Sequence, residues 1–187
     1  MQITDTYLRL GALTQFLGLF ILLSMPVDAA YISLAKTPYD NQMNRIRHVI
    51  TQADQGQTNL SKAQVEDWMK TIRGYRYRRS HTWQLPGETE KRRAGDCKDK
   101  ALLLLDYMKS AGYSGTRLVI GKQNNRSKET HAWLEWKYQG EWLVLDPTFY
   151  PRPQSRDNLK SKYIREYIYL NSQKIAYIPY SVAVAGL

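Results

Sequence analysis

The sequence predicts an α+β domain. Apolar residues recur every three to four positions in three segments before residue 111, then alternate with polar ones in short runs after residue 115. Hydrophobic residues make up 43% and charged residues 24% of the 187, a globular composition that excludes wholesale disorder. The single cysteine, Cys97, excludes an internal disulfide and a multi-cysteine zinc site, so a packed core must supply the stability.

Residues 1–29 stand apart from that core. A polar start with Arg9, a mostly apolar run over residues 10–25, and Val27-Asp28-Ala29 after Pro26 have the three regions of a signal peptide. Cleavage after Ala29 puts Val27 and Ala29 at the small or apolar positions. A retained N-terminal anchor is the alternative, but the run is broken by Thr14-Gln15 and falls short of the roughly 20 residues of a spanning helix. Either way the remainder is expected outside the cytoplasm, periplasmic or secreted, as one domain over 30–180 with a disordered tail over 181–187.

Within the domain, residues 31–38 read as an extended leader. Met43, Ile46, Val49 and Ile50 predict a helix over 40–53, and residues 56–59 a turn. Ser61 and Gln64 have capping-box spacing ahead of Val65, Trp68, Met69 and Ile72, the stripe of a second helix that Gly74 ends. Residues 75–95 are rich in charge and contain Pro86-Gly87, which reads as a long surface loop. A third helix over 98–110 carries Ala101, Leu104, Leu105 and Met108 and stops at Gly112. Residues 116–120 form a short β-branched run and 121–128 a polar turn. Residues 130–138 and 141–148 alternate like two strands joined at Gln139-Gly140, a hairpin. Pro147, Pro151 and Pro153 introduce an irregular basic segment, and residues 163–178 suit one or two edge strands.

The formal charge is +10, with bases clustered in 73–79, 91–93 and 152–165. Export argues against nucleic acid as the partner. A solvated basic face, or peripheral contact with an anionic membrane surface or an acidic protein, fits better. The chain is expected to be a monomer.

Cys97 sits in Gly95-Asp96-Cys97-Lys98-Asp99, where loop becomes helix. The positive end of a helix dipole stabilises a thiolate there, and the free N–H groups of the first turn can face an oxyanion. An unpaired cysteine in an exported protein is a flag for reactivity. Of the three histidines, His48 falls in the first helix, His81 in the charged loop, and His131 at the start of a hairpin strand. With a two-residue turn, Trp133 faces Asp146 and His131 faces Thr148, which makes Asp146 a diagonal neighbour of His131 at roughly 7–8 Å, within reach of a hydrogen bond between the side chains. His131, Trp133, Val144 and Asp146 then share one face. Ala132, Leu134, Trp136, Leu143 and Leu145 share the apolar other. Thiol, imidazole and carboxylate are what acyl chemistry needs: Cys97 as nucleophile, His131 as base and acid, Asp146 as orienter. Gln84 is a candidate oxyanion donor, with Trp83 before it and Trp133 beside His131 as supporting residues.

Gly95-Asp96-Cys97-Lys98-Asp99-Lys100-Ala101, His131-Ala132-Trp133 and Leu145-Asp146-Pro147-Thr148 resemble, in this order, the three signature blocks of the transglutaminase-like superfamily. Small size and an export signal are similar to its bacterial, periplasmic cysteine peptidases. The resemblance implies a papain-like α+β fold, with N-terminal helices and the cysteine helix packed on an antiparallel sheet. It also implies the same roles for Cys97, His131 and Asp146, and hydrolysis of an amide in a cell-envelope protein or peptide. Acyl transfer to an amine, or a noncatalytic binding module, are the alternatives. In the calcium-dependent peptidases of this group an acidic residue follows the nucleophile, where this chain has Lys98. An ammonium there competes with a divalent cation, so no metal is expected; Asp96 and Asp99 are the ligands if calcium binds. Asp96 is read as a helix cap, and the Lys98 side chain as reaching solvent.

Overall fold

The structure, a computed structural model, describes residues 29–52, 60–113 and 115–179. The leader over 1–28, the turn over 56–59 and the tail over 181–187 lie outside the described residues.

Strand β1 (Ala29–Ser33) precedes a 3-10 turn (Asn44–Ile46) that leads into helix α1 (Arg47–Thr51). The first predicted helix is thus shorter than its apolar spacing suggests, and the extended leader begins as a paired strand. Helix α2 (Lys62–Arg73) starts where expected: the Ser61 hydroxyl accepts from the Gln64 N–H at 3.2 Å, and Gly74 caps its end. Strand β2 (Arg76–Tyr77), helix α3 (Pro86–Arg92) and strand β3 (Ala94–Gly95) follow, in place of the predicted loop. Pro86 at the first helical position and Glu88, whose carboxylate accepts from the Leu85 N–H at 2.9 Å, are the start signals of α3. They were legible in the sequence.

Helix α4 (Cys97–Ser110) is the hub. Leu102 and Leu103 are as fully buried as Ala101, Leu104, Leu105 and Met108, because α2 and α3 cover the side that the sheet does not. Two of its lysines are buried as well. Lys100 donates to the Tyr75 carbonyl at 2.7 Å, just past the end of α2, and Lys109 to Ile50 and Gln52 carbonyls at 2.6 and 3.0 Å around the end of α1. Each ammonium neutralises the negative end of a helix that packs on α4.

The second half supplies β4 (Thr116–Lys122), β5 (His131–Tyr138), β6 (Glu141–Leu145), β7 (Gln154–Ser155), β8 (Ile164–Leu170) and β9 (Gln173–Pro179). Their order with β1 in one antiparallel sheet is β1-β9-β8-β4-β5-β6-β7. The hairpin register is the predicted one, with Leu134 opposite Leu145 and Trp136 opposite Leu143 across a turn whose Gln139 and Gly140 have φ of 49° and 86°. Strands β8 and β9 are interior, not edge strands, because β1 covers β9. Both sheet faces are buried: Leu134, Trp136, Leu143 and Leu145 pack with the helices, while Val119, Trp133, Val144 and Ile168 pack under Leu159 and Tyr163. Among the described residues no helix is long and apolar enough to cross a membrane.

Candidate active site

Cys97 is brought to the surface of the core by a short parallel ladder. Tyr77 pairs with Gly95, and the chain then turns into α4 with Asp96 at the N-cap and half-buried Cys97 as the first helical residue. The approach is close: a Cβ on Gly95 would lie 2.7 Å from the Asp99 Cβ and 3.2 Å from Thr89. Asp99 is fully buried and accepts from the Gln84 N–H at 2.9 Å, the Gln84 amide nitrogen at 2.7 Å and the Asp96 N–H at 3.2 Å. Burial, helped by the nearby Asp96 charge, raises the Asp99 pKa against those bonds. Gln84 is therefore committed to holding the α4 start, with its carbonyl oxygen accepting from Arg92 at 3.0 Å, and does not line the cleft as an oxyanion donor would.

His131 begins β5 opposite Gly121. A Cβ on Gly121 would fall 2.0 Å from the Ile164 carbonyl oxygen and 3.0 Å from the Trp133 ring, so only glycine lets β8 pass so near at the bulge that interrupts its ladder with β4. Asp146 lies one residue past β6 and is fully buried. Its Oδ2 is 2.7 Å from His131 Nε2 and accepts from the Tyr163 hydroxyl at 2.6 Å; its Oδ1 accepts from the Thr148 N–H at 2.9 Å. Cys97 lines the same cleft as His131 and favours charge on its ring. With Nε2 taken by Asp146, Nδ1 is the nitrogen left for the thiol. Burial opposes charge on His131, but Asp146 and Cys97 outweigh it and push the imidazole pKa up to about 9. Burial and the Asp146 charge push the Tyr163 phenol up too, which keeps it a donor.

Trp133 is wholly buried, its ring 6.0 Å from His131 at an interplanar angle of 20° and 5.0 Å from Tyr163 edge-on. It supports the imidazole from beneath and does not line the cleft. Trp83 does line it, with Tyr77, Ser80, Cys97, Lys98 and His131 among its neighbours in a cavity of about 550 Å³. An exposed ion pair from Arg79 to Glu129, 2.6 Å, joins the cysteine wall to the histidine wall at the rim. His81 also lines the cleft, while His48 is exposed on α1. Of the six residues proposed from sequence, Cys97, His131 and Asp146 come together, Trp83 and Trp133 flank them, and Gln84 faces elsewhere. Tyr163 had no signal in the sequence, because it follows an irregular segment and meets Asp146 only through the sheet.

The Asp96 and Asp99 carboxylates that a calcium ion would use are largely engaged already, Asp96 Oδ1 being the one oxygen of the four without a hydrogen-bond partner. Lys98 is only partly exposed, at the cleft, and is not extended into solvent as expected: its ammonium donates to the Asp96 Oδ2 and, at 2.7 Å, to the Ser80 carbonyl. Asp96 Oδ2 also accepts from the Ser80 N–H at 3.0 Å, and both Asp99 oxygens are engaged by Gln84 and the Asp96 N–H. Among the described residues no group of three or more His, Cys, Asp or Glu side chains could hold a metal ion.

The fold is similar to that of Legionella pneumophila LapG, at a TM-score of 0.53 and 14% identity, covering 81% of this chain and 84% of that one. A calcium-bound form of LapG matches at 0.52 and 14%, covering 78% and 82%. A Cytophaga hutchinsonii protein assigned as a cysteine protease matches at 0.41 and 18%, covering 74% of this chain and 41% of that one. No curated protein matches the sequence. The family model described as the transglutaminase-like superfamily matches residues 44–147, more than half of the chain and a span that holds Cys97, His131 and Asp146. This chain belongs to the transglutaminase-like superfamily.

Proposed function

We propose that this protein is an exported thiol hydrolase that cleaves an amide bond in a cell-envelope protein or peptide. One observation carries the reading: the buried His131 ring is bonded through Nε2 to Asp146 at 2.7 Å and faces the same cleft as Cys97. The superfamily fold supports hydrolase or transferase chemistry, and the leader over residues 1–29 supports export.

Cys97 is the nucleophile. Its thiolate attacks the amide carbonyl, and the first-turn N–H groups of α4 face the oxyanion that forms. His131, charged at neutral pH by its raised pKa, hands a proton to the leaving amine as the C–N bond breaks. The resulting thioester is opened by water, whose proton returns to His131. Asp146 keeps the ring in the reactive tautomer and stabilises the imidazolium. Tyr163, Thr148 and Trp133 hold Asp146 and the ring in place.

The proposed reaction needs no calcium, since Lys98 supplies a fixed positive charge between Asp96 and the Ser80 carbonyl. The basic surface suits an anionic envelope partner. The test is acylation of Cys97 by p-nitrophenyl acetate, read as one p-nitrophenol released per protein and one acetyl group on an otherwise cysteine-free chain. Cys97→Ser and His131→Ala abolish the burst, and envelope proteins that stay uncleaved when the gene is deleted identify the substrate. A burst that survives Cys97→Ser overturns the reading.

A further inference from the structure

Beyond the His131 ring lies a second cavity, of about 450 Å³, lined by Gln123, Asn124, Phe149, Tyr150, Lys162 and Tyr163. Phe149 lines this cavity and packs against the His131 ring, which lines the catalytic cleft. The Phe149 ring centroid lies 5.3 Å from that of His131, yet the residue is 46% exposed, one of four large apolar side chains left open to solvent among the described residues. Tyr163 spends its hydroxyl on Asp146 and so contributes ring surface, with Tyr150 at 6.4 Å between centroids. Three aromatic rings with a polar rim of Gln123, Asn124 and Lys162 make a lining suited to an apolar side chain.

The proposed chemistry orients a substrate over this surface. The acyl half stays on Cys97, whereas the leaving nitrogen must remain within hydrogen-bonding reach of the imidazole that protonates it. The chain carrying that nitrogen therefore departs past His131, and Phe149 is the exposed side chain that stands against that ring. We infer that this second cavity is the leaving-amine subsite and that it takes a bulky aromatic side chain from the residue supplying the amine. The inference rests on the thiol-hydrolase reading and adds the substrate class.

Running the deacylation backwards tests it. The full chain is acetylated on Cys97 with p-nitrophenyl acetate and the thioester is then offered phenylalaninamide or glycinamide. The amine nitrogen attacks the thioester carbon, the C–S bond breaks, the amine proton passes to His131 and the thiolate leaves. The ratio of acetylated amide to acetate is read by mass spectrometry, each amine being corrected for its rate with S-acetyl-N-acetylcysteamine, a thioester in free solution. Phenylalaninamide is expected to win over glycinamide on the order of tenfold, the scale of a hydrophobic pocket. Phe149→Ala brings the two within about twofold, and Phe149→Leu keeps part of the preference. Equal partition in the unaltered protein, or a preference that survives Phe149→Ala, overturns the subsite while leaving the thiol hydrolase intact. No acyl-enzyme at all overturns both.

Discussion

Replacing Asp146 by Asn removes one negative charge from a fully buried site and leaves the burial of His131 in place. In the native protein the imidazole pKa stands at about 9 against an ordinary 6.5, with burial working against the charge and Asp146 supplying the largest share of the rise. At about 1.36 kcal/mol per pKa unit, the fold favours the imidazolium by about 3 kcal/mol. Because the folded pKa lies above the unfolded one, this stabilisation is present in full below pH 6.5 and is lost as pH rises through 9. In Asp146→Asn the burial cost is unopposed by the carboxylate, so His131 titrates below its native midpoint. The unfolding free energies of the two proteins are then expected to differ most near pH 6, by about 3 kcal/mol, and to converge above pH 9. Urea denaturation at pH 6 and pH 10, with His131 followed by its ring 15N shifts, reads both quantities. Turnover is expected to fall roughly 10,000-fold as the tautomer is lost. An Asp146→Asn protein whose His131 still titrates near 9, or whose stability deficit is independent of pH, would refute this account of the carboxylate.

Tyr163→Phe strips the buried Asp146 of a charge-assisted bond and is expected to cost about 2 kcal/mol of stability, measured as a lower urea midpoint at unchanged slope. Gly121→Ala drives a methyl group against the Ile164 carbonyl at the bulge; about 3 kcal/mol and a melting temperature lower by about 10 °C are expected in calorimetry. Chelation with EDTA is expected to leave turnover unchanged, and calcium the melting temperature. An ion bound at a hundredfold excess over its Kd would add about 2.7 kcal/mol and several degrees, so a calcium-dependent melting temperature would overturn the assignment of Lys98.

The sequence by itself determined whatever depends on near neighbours. Local spacing set the start of α2 at Ser61 and the hydrophobic content of α4, and the two-residue turn at Gln139-Gly140 set a hairpin register in which Asp146 meets His131. A register is all or none, because a slip of one residue would send every side chain to the opposite face. Cys97, His131 and Asp146 were legible for that reason, one at a helix start and two across a hairpin. Tertiary structure alone decided what depends on distant chain: β8 entered the sheet interior between β4 and β9, and β9 did so because β1, more than 140 residues away, returned to cover it. The same packing turned Tyr163 onto Asp146, committed Gln84 to Asp99 instead of the cleft, and folded Lys98 back onto Asp96 and the Ser80 carbonyl. These are polar groups removed from water, and a buried polar group must take whichever partner the fold brings within reach. Periodicity along the chain carries no record of that choice.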